Sequence, residues 1–90
     1  MTTPDHIRAH RHSCRHLAEI EASALCGCFY CLTIFGPADI TVWVEKDFQK
    51  VGQTALCPRC GIDSVIGSES GYPITVDFLS MMKNYWFQPG

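Results

Sequence analysis

Two CxxC pairs, Cys28-Phe29-Tyr30-Cys31 and Cys57-Pro58-Arg59-Cys60, stand 25 residues apart and limit what this chain can fold into. Six of its 90 residues are cysteine, a density that points to a disulfide scaffold or a metal site. The opening stretch MTTPDHIRAHRHS is polar and lacks the apolar centre of an export signal, so a reducing, cytoplasmic setting is expected. Disulfides seldom persist there. Zinc takes four tetrahedral ligands with Zn–S near ~2.3 Å, and each CxxC supplies two from one tight turn. Pro58 presets φ for such a turn, and Gly61 can take a positive φ while the backbone folds around the metal. The expectation is one structural Zn²⁺ held by Cys28, Cys31, Cys57 and Cys60. The first pair carries a weaker signal than the second, because Leu32 stands where Gly61 stands in the other.

Two other readings of the cysteines compete. Buried free thiols are one. A redox pair is the other, but a thioredoxin-like CxxC starts a helix inside a βαβ unit, for which this chain has no room. Cys26 lies beside the first knuckle and reads as a buried neighbour of the site, with an exchanging ligand set involving it left open. Cys14 reads as a small core hydrophobe.

Hydrophobic residues make up 47% and charged residues 18%, which is a globular composition for one domain over residues 1–90. No apolar run approaches the ~18–20 residues that span a bilayer, so no membrane is expected as a partner. Net charge is −2, unevenly spread. Residues 1–16 hold Arg8, Arg11 and Arg15 against Asp5, with all four histidines, whereas the remainder is acidic. Residues 1–12 therefore read as a flexible basic arm or a helix start.

Thr3-Pro4-Asp5 reads as a helix start, and Ser13, Leu17, Ile20 and Ala24 as one helical face ending near Gly27. Residues 32–35 suit a strand or a helical turn. Pro37, Asp39, Ile40, Trp43 and Val44 favour a short helix, although the β-branched residues there favour a strand. Gln53 to Leu56 and Ile62 to Ile66 read as a hairpin tipped by the second knuckle. Thr75 caps a last helix whose apolar face is Phe78, Leu79, Met82, Tyr85 and Trp86. The fold class expected is α+β: a small zinc-ribbon or treble-clef-like domain with N-terminal and C-terminal helices.

The strings CGCFYC at 26–31, TALCPRCGIDSVIG at 54–67 and SGYPIT at 70–75 add specificity, with Ile40, Trp43, Trp86-Phe87, Ser13 and His16. Over about residues 13–87 the chain resembles a family of small bacterial proteins labelled "cytoplasmic protein". The resemblance implies a soluble, cytoplasmic, zinc-containing protein and carries over no activity.

Three functional classes compete. The leading one is a protein-interaction or regulatory module, with a homodimer or partner contact through the aromatic C-terminal helix. The second is a nucleic-acid-binding zinc ribbon using Arg8, Arg11, Arg15 and Arg59, with Phe29, Tyr30, Trp43 and Tyr72 for stacking. Four thiolates and a Zn²⁺ would move the net charge from −2 to −4, which opposes phosphate binding. The third is a small hydrolase with His16 as base, Asp63 as orienting carboxylate and a hydroxyl from Ser64, Ser68 or Ser70, although no GxSxG elbow is present. His12 and His16, four apart, share a helical face and could hold a second metal, and His16 could equally serve beside or within the first site.

Overall fold

The computed structural model describes residues 3–87; residues 1, 2 and 88–90, the ends of the expected domain and of its basic arm, lie outside that range. Over the described residues the chain forms three α-helices, three short 3₁₀ turns and two antiparallel sheets, an α+β arrangement. The helices are α1 (Asp5–Arg8), α2 (Leu17–Ala22) and α3 (Val76–Trp86). Strands β1 (Cys26–Cys28), β2 (Ile34–Phe35) and β5 (Val65–Gly67) make one sheet in the order β2-β1-β5. Strands β3 (Trp43–Lys46) and β4 (Gly52–Ala55) make the other. Among the described residues no helix is long and apolar enough to cross a membrane.

Strands β1 and β5 are buried along their whole length, and because successive side chains on a strand point to opposite sides they pack on both faces. Val65 joins a cluster with Ile20, Phe35, Ile40, Ala55 and the buried knuckle cysteines. The next residue, Ile66, joins Ala9, Phe29, Phe78, Leu79 and Met82. One face of the sheet thus backs the cysteines, and the other is covered by the N-terminal turns and α3. Helix α3 comes close to β1 because Gly27 has no side chain: a Cβ there would lie 2.7 Å from Leu79 Cδ1.

The long N-terminal helix expected from the sequence is not formed. Asp5–Arg8 runs into a 3₁₀ turn at Ala9–Ser13, the chain then breaks, and helix resumes at Leu17. Tertiary hydrogen bonds override the helical pattern at the break. Arg15 takes φ 48, its N–H donates to Thr54 Oγ1 at 2.7 Å, and the His16 N–H donates to the Gln53 carbonyl at 2.7 Å. Thr3 makes no capping bond, whereas Thr75 caps α3 as expected, accepting from the Phe78 N–H at 3.2 Å. The buried face of α3 is Phe78, Leu79 and Met82; Tyr85 and Trp86, expected on that face, are exposed.

Strand pairing also differs from the sequence reading. Ile40 to Val44 is not a helix; only Pro37–Asp39 makes a 3₁₀ turn, and Trp43 enters a strand whose partner is Ala55. The Asp47 carboxylate turns that hairpin, accepting from the N–H groups of Gln49 and Val51 at 2.9 and 3.0 Å. The strand before the second knuckle is therefore already paired, and Val65–Gly67 after it pairs with β1 instead. It is the first knuckle that tips a hairpin, with Cys26 opposite Phe35 and Gly27 opposite Ile34.

Candidate metal centre

Both knuckles are closed by the same backbone bonds. In the first, the Cys28 N–H donates to the Thr33 carbonyl at 3.0 Å and the Leu32 N–H to the Cys28 carbonyl at 2.9 Å. In the second, the Cys57 N–H donates to the Ile62 carbonyl at 2.9 Å and the Gly61 N–H to the Cys57 carbonyl at 2.9 Å. Leu32 and Gly61 reverse the chain with φ 64 and φ 77. The two loops thus point their sulfurs at a common centre. The four Sγ atoms of Cys28, Cys31, Cys57 and Cys60 all lie within 4.8 Å of one another. Cys28–Cys60 and Cys31–Cys57 are each separated by 3.6 Å across the knuckles.

That spacing fits a tetrahedral ion. Four sulfurs at ~2.3 Å from a centre stand roughly 3.8 Å apart along each tetrahedral edge. The leading sulfur of each pair also receives the N–H groups that a thiolate needs. Cys28 Sγ accepts from Tyr30 and Cys31 at 3.3 and 3.4 Å, and Cys57 Sγ from Arg59 and Cys60 at 3.4 Å each. Two hydroxyls flank the first knuckle: Ser64 Oγ lies 3.0 Å from Cys28 Sγ, and the Cys31 thiol donates to Thr33 Oγ1 at 3.2 Å. The four cysteines are positioned to hold one metal ion.

Electrostatics without a cation are unfavourable for four charges together. Burial pushes the Cys28 thiol up, against the Ser64 hydroxyl and the backbone donors. Burial also pushes Cys60 up to about 12, and the neighbouring Cys28 and Cys57 sulfurs add to the rise. At Cys31 burial is outweighed by the Thr33 hydroxyl and N–H with the Cys57 and Cys28 sulfurs, bringing the thiol down to about 6. A bound cation removes the conflict, since it stabilises all four thiolates together.

The remaining candidates fall elsewhere. Cys26 is fully buried outside the four-sulfur cluster, with burial pushing its thiol up to about 11. Cys14, expected in the core, is exposed, because the break after Ser13 turns it outward. His16 is buried but serves the fold rather than a metal. Its Nδ1 donates to the His12 carbonyl and its Nε2 accepts from the Ala55 N–H at 3.1 Å. His12 faces away, paired with Glu19 at 2.9 Å, so no second metal cluster forms among the described residues.

The hydrolase set is not brought together. Both His16 nitrogens are occupied, and Ser64 Oγ is turned to Cys28. Ser68 Oγ accepts from the N–H groups of Ala24 and Leu25, Ser70 Oγ accepts from Tyr72, and Asp63 is exposed. Arg8, Arg11, Arg15 and Arg59 are all exposed. Of the aromatics proposed for stacking on bases, Phe29 is buried, Trp43 is half-buried in a T-shaped contact with His16, Tyr72 is half-buried and Tyr30 is exposed.

Two features were missed from sequence. Ser64 was expected as a candidate hydroxyl nucleophile rather than as a partner of the Cys28 sulfur; the signal was a hydroxyl four residues after the second knuckle. Phe48, which the sequence reading did not single out, is 92% exposed at the tip of the β3–β4 hairpin. No family model, curated protein or solved structure matches this chain.

Proposed function

We propose that the protein is a small structural zinc module of the zinc-ribbon or treble-clef kind, acting as a protein-interaction or regulatory unit. One observation carries the zinc reading: four cysteine sulfurs converge at tetrahedral spacing, with their charge supported by N–H and O–H donors. A closed set of four thiolates suits zinc as a cross-link, since catalytic zinc keeps a position open for water or substrate. The expected setting is cytoplasmic, where such thiolates stay reduced. X-ray absorption at the zinc edge tests the ligand set. Four sulfur scatterers near ~2.3 Å are expected; a shell containing nitrogen or oxygen overturns it.

The interaction role is supported by surface chemistry. Trp86, Tyr85 and Met81 are 38%, 51% and 49% exposed on α3, alongside His6 and His10 from the N-terminal turns. The occupant proposed is a protein, including a second copy of this chain. Sedimentation of wild type and a Met81→Glu, Tyr85→Glu variant tests the second copy: a dimer lost in the variant supports it, and a wild-type monomer at all concentrations removes it. The nucleic-acid reading keeps the exposed arginines and the exposed Tyr30 in its favour, and salt-dependent binding to an oligonucleotide would raise it.

A further inference from the structure

We propose that Arg11 and Arg15 form a binding site for the phosphate group of a small phosphate monoester. The site is a cleft of about 330 Å³ where the second N-terminal turn, α2 and β4 meet, lined by Arg11, His12, Cys14, Arg15, Glu19 and Gln53. Leu17 and Ala18 add a short apolar wall, and His16 borders it with both ring nitrogens already taken. None of the four clustered cysteines lines the cleft, so it is separate from the metal centre.

The acids in and beside this cleft are engaged within the protein, whereas the guanidinium groups are not. Glu19, the one carboxylate in the cleft, accepts from His12 Nδ1 on both oxygens, at 2.9 and 3.1 Å. Arg15 also borders a second cleft, of about 270 Å³, with Glu45, Lys46, Asp47 and Gln53. Glu45 there accepts from the Thr54 hydroxyl. Asp47 accepts from the Gln49 and Val51 N–H groups and from the Gln53 amide. Among the described residues His12–Glu19 is the only ion pair, so neither arginine has an acidic partner, and both are exposed.

The backbone at Arg15 is held in a sparsely populated conformation. Its φ is 48, and β4 fixes it from two directions: the Arg15 N–H donates to Thr54 Oγ1 and the His16 N–H to the Gln53 carbonyl, each at 2.7 Å. Strain of this kind persists where surrounding bonds over-determine it, and it clusters at sites that position a functional group.

The ligand class follows from the donors. A guanidinium presents parallel N–H groups that match two oxygens of an anion. One such fork already satisfies a carboxylate. A phosphate monoester has three terminal oxygens and a charge of about −1.5 to −2 near neutral pH, enough for two forks. A cleft of this volume admits the phosphate with a small organic group, which Leu17 and Ala18 would cover. A nucleic-acid strand fits less well, because its further phosphates would meet the acidic remainder of a chain whose net charge is −2.

The test is a titration of the isotope-labelled full chain at fixed ionic strength, followed by amide chemical shifts. Phenyl phosphate is the probe, compared with inorganic phosphate, benzoate and a short single-stranded oligonucleotide. The expected result is saturable binding of phenyl phosphate with shifts centred on residues 11–19 and Gln53, weaker binding of inorganic phosphate, and no saturation by benzoate. Arg11→Gln and Arg15→Gln each weaken the binding about tenfold, the scale of one hydrogen bond to a charged group. Arg8→Gln, which removes an exposed charge of the same arm outside the cleft, leaves it unchanged. Arg11→Gln carries the comparison alone if Arg15→Gln fails to fold at its strained position. A failure of phenyl phosphate to saturate, benzoate or inorganic phosphate bound as tightly, or an equal loss in the Arg8 and Arg11 variants overturns the inference. Tighter binding of the oligonucleotide than of phenyl phosphate overturns it too, and assigns the arginines to nucleic acid instead.

Discussion

Leu32 and Gly61 hold the same place in the two knuckles, each one residue past its CxxC, each donating its N–H to the carbonyl four residues back at 2.9 Å. Both sit in the left-handed region, φ 64 and φ 77. For a residue with a Cβ that conformation costs about 1–2 kcal/mol, and leucine accepts it here because its side chain packs against the Phe29 cluster.

Gly61→Ala should therefore destabilise by about 1 kcal/mol through conformation alone, since a Cβ there meets nothing within 4 Å. Leu32→Gly should fall close to neutral, because the relieved backbone offsets the lost packing and the added chain entropy. Urea unfolding of both zinc-loaded variants checks the pair. A Leu32→Gly loss larger than that of Gly61→Ala by several kcal/mol would show that packing, not the turn, holds leucine in place.

His16 ties the N-terminal break to β4 only as a neutral imidazole, donating from Nδ1 to the His12 carbonyl and accepting at Nε2 from Ala55. His16→Ala leaves that N–H and that carbonyl without partners, for a loss of about 2–4 kcal/mol. Burial lowers the His16 pKa from 6.5, against the His12 carbonyl and the Glu19 charge, which raise it. The unfolded chain then binds the proton more readily than the folded one. This part of the stability is complete above about pH 6.5 and is lost as the pH falls toward the folded-state pKa. Wild type should thus lose more stability than His16→Gln between about pH 7 and about pH 5, in denaturant titrations at each pH. Parallel curves would contradict the assignment.

The sequence made the cysteines legible because a knuckle is local: two sulfurs, a proline and a reversing residue lie within five positions. The Thr75 cap was legible for the same reason, its acceptor and donor being three residues apart. Strand pairing was not. Gln53 to Leu56 sits next to the second knuckle, but its hydrogen bonds go back to Trp43–Lys46, and the choice was made by the Asp47 turn. The break at Cys14-Arg15-His16 was hidden too, since it depends on Gln53, Thr54 and Ala55, nearly 40 residues away. That break explains the exposure of Cys14 and the buried place of His16.

Ser64 supports the site from a distance in sequence. Its hydroxyl, 1% exposed, lies 3.0 Å from Cys28 Sγ across the β1–β5 pair. Ser64→Ala should leave the fold intact and weaken zinc retention by about 10–100-fold, the usual range for a lost partner of a metal ligand. Competition with a calibrated chelator measures it. Unchanged affinity would mean that the backbone N–H groups of Tyr30 and Cys31 suffice for Cys28.

The central claim is that one zinc ion, held by Cys28, Cys31, Cys57 and Cys60, holds the fold together. Structural zinc supplies an apparent ~10–16 kcal/mol in small peptides at neutral pH, comparable with a whole domain's net stability. The direct measurement is native mass spectrometry of the purified protein during a chelator titration, with circular dichroism followed in parallel. The account predicts one zinc per chain, lost together with the folded signal. Two metals per chain, or a metal that leaves while the fold survives, would contradict it.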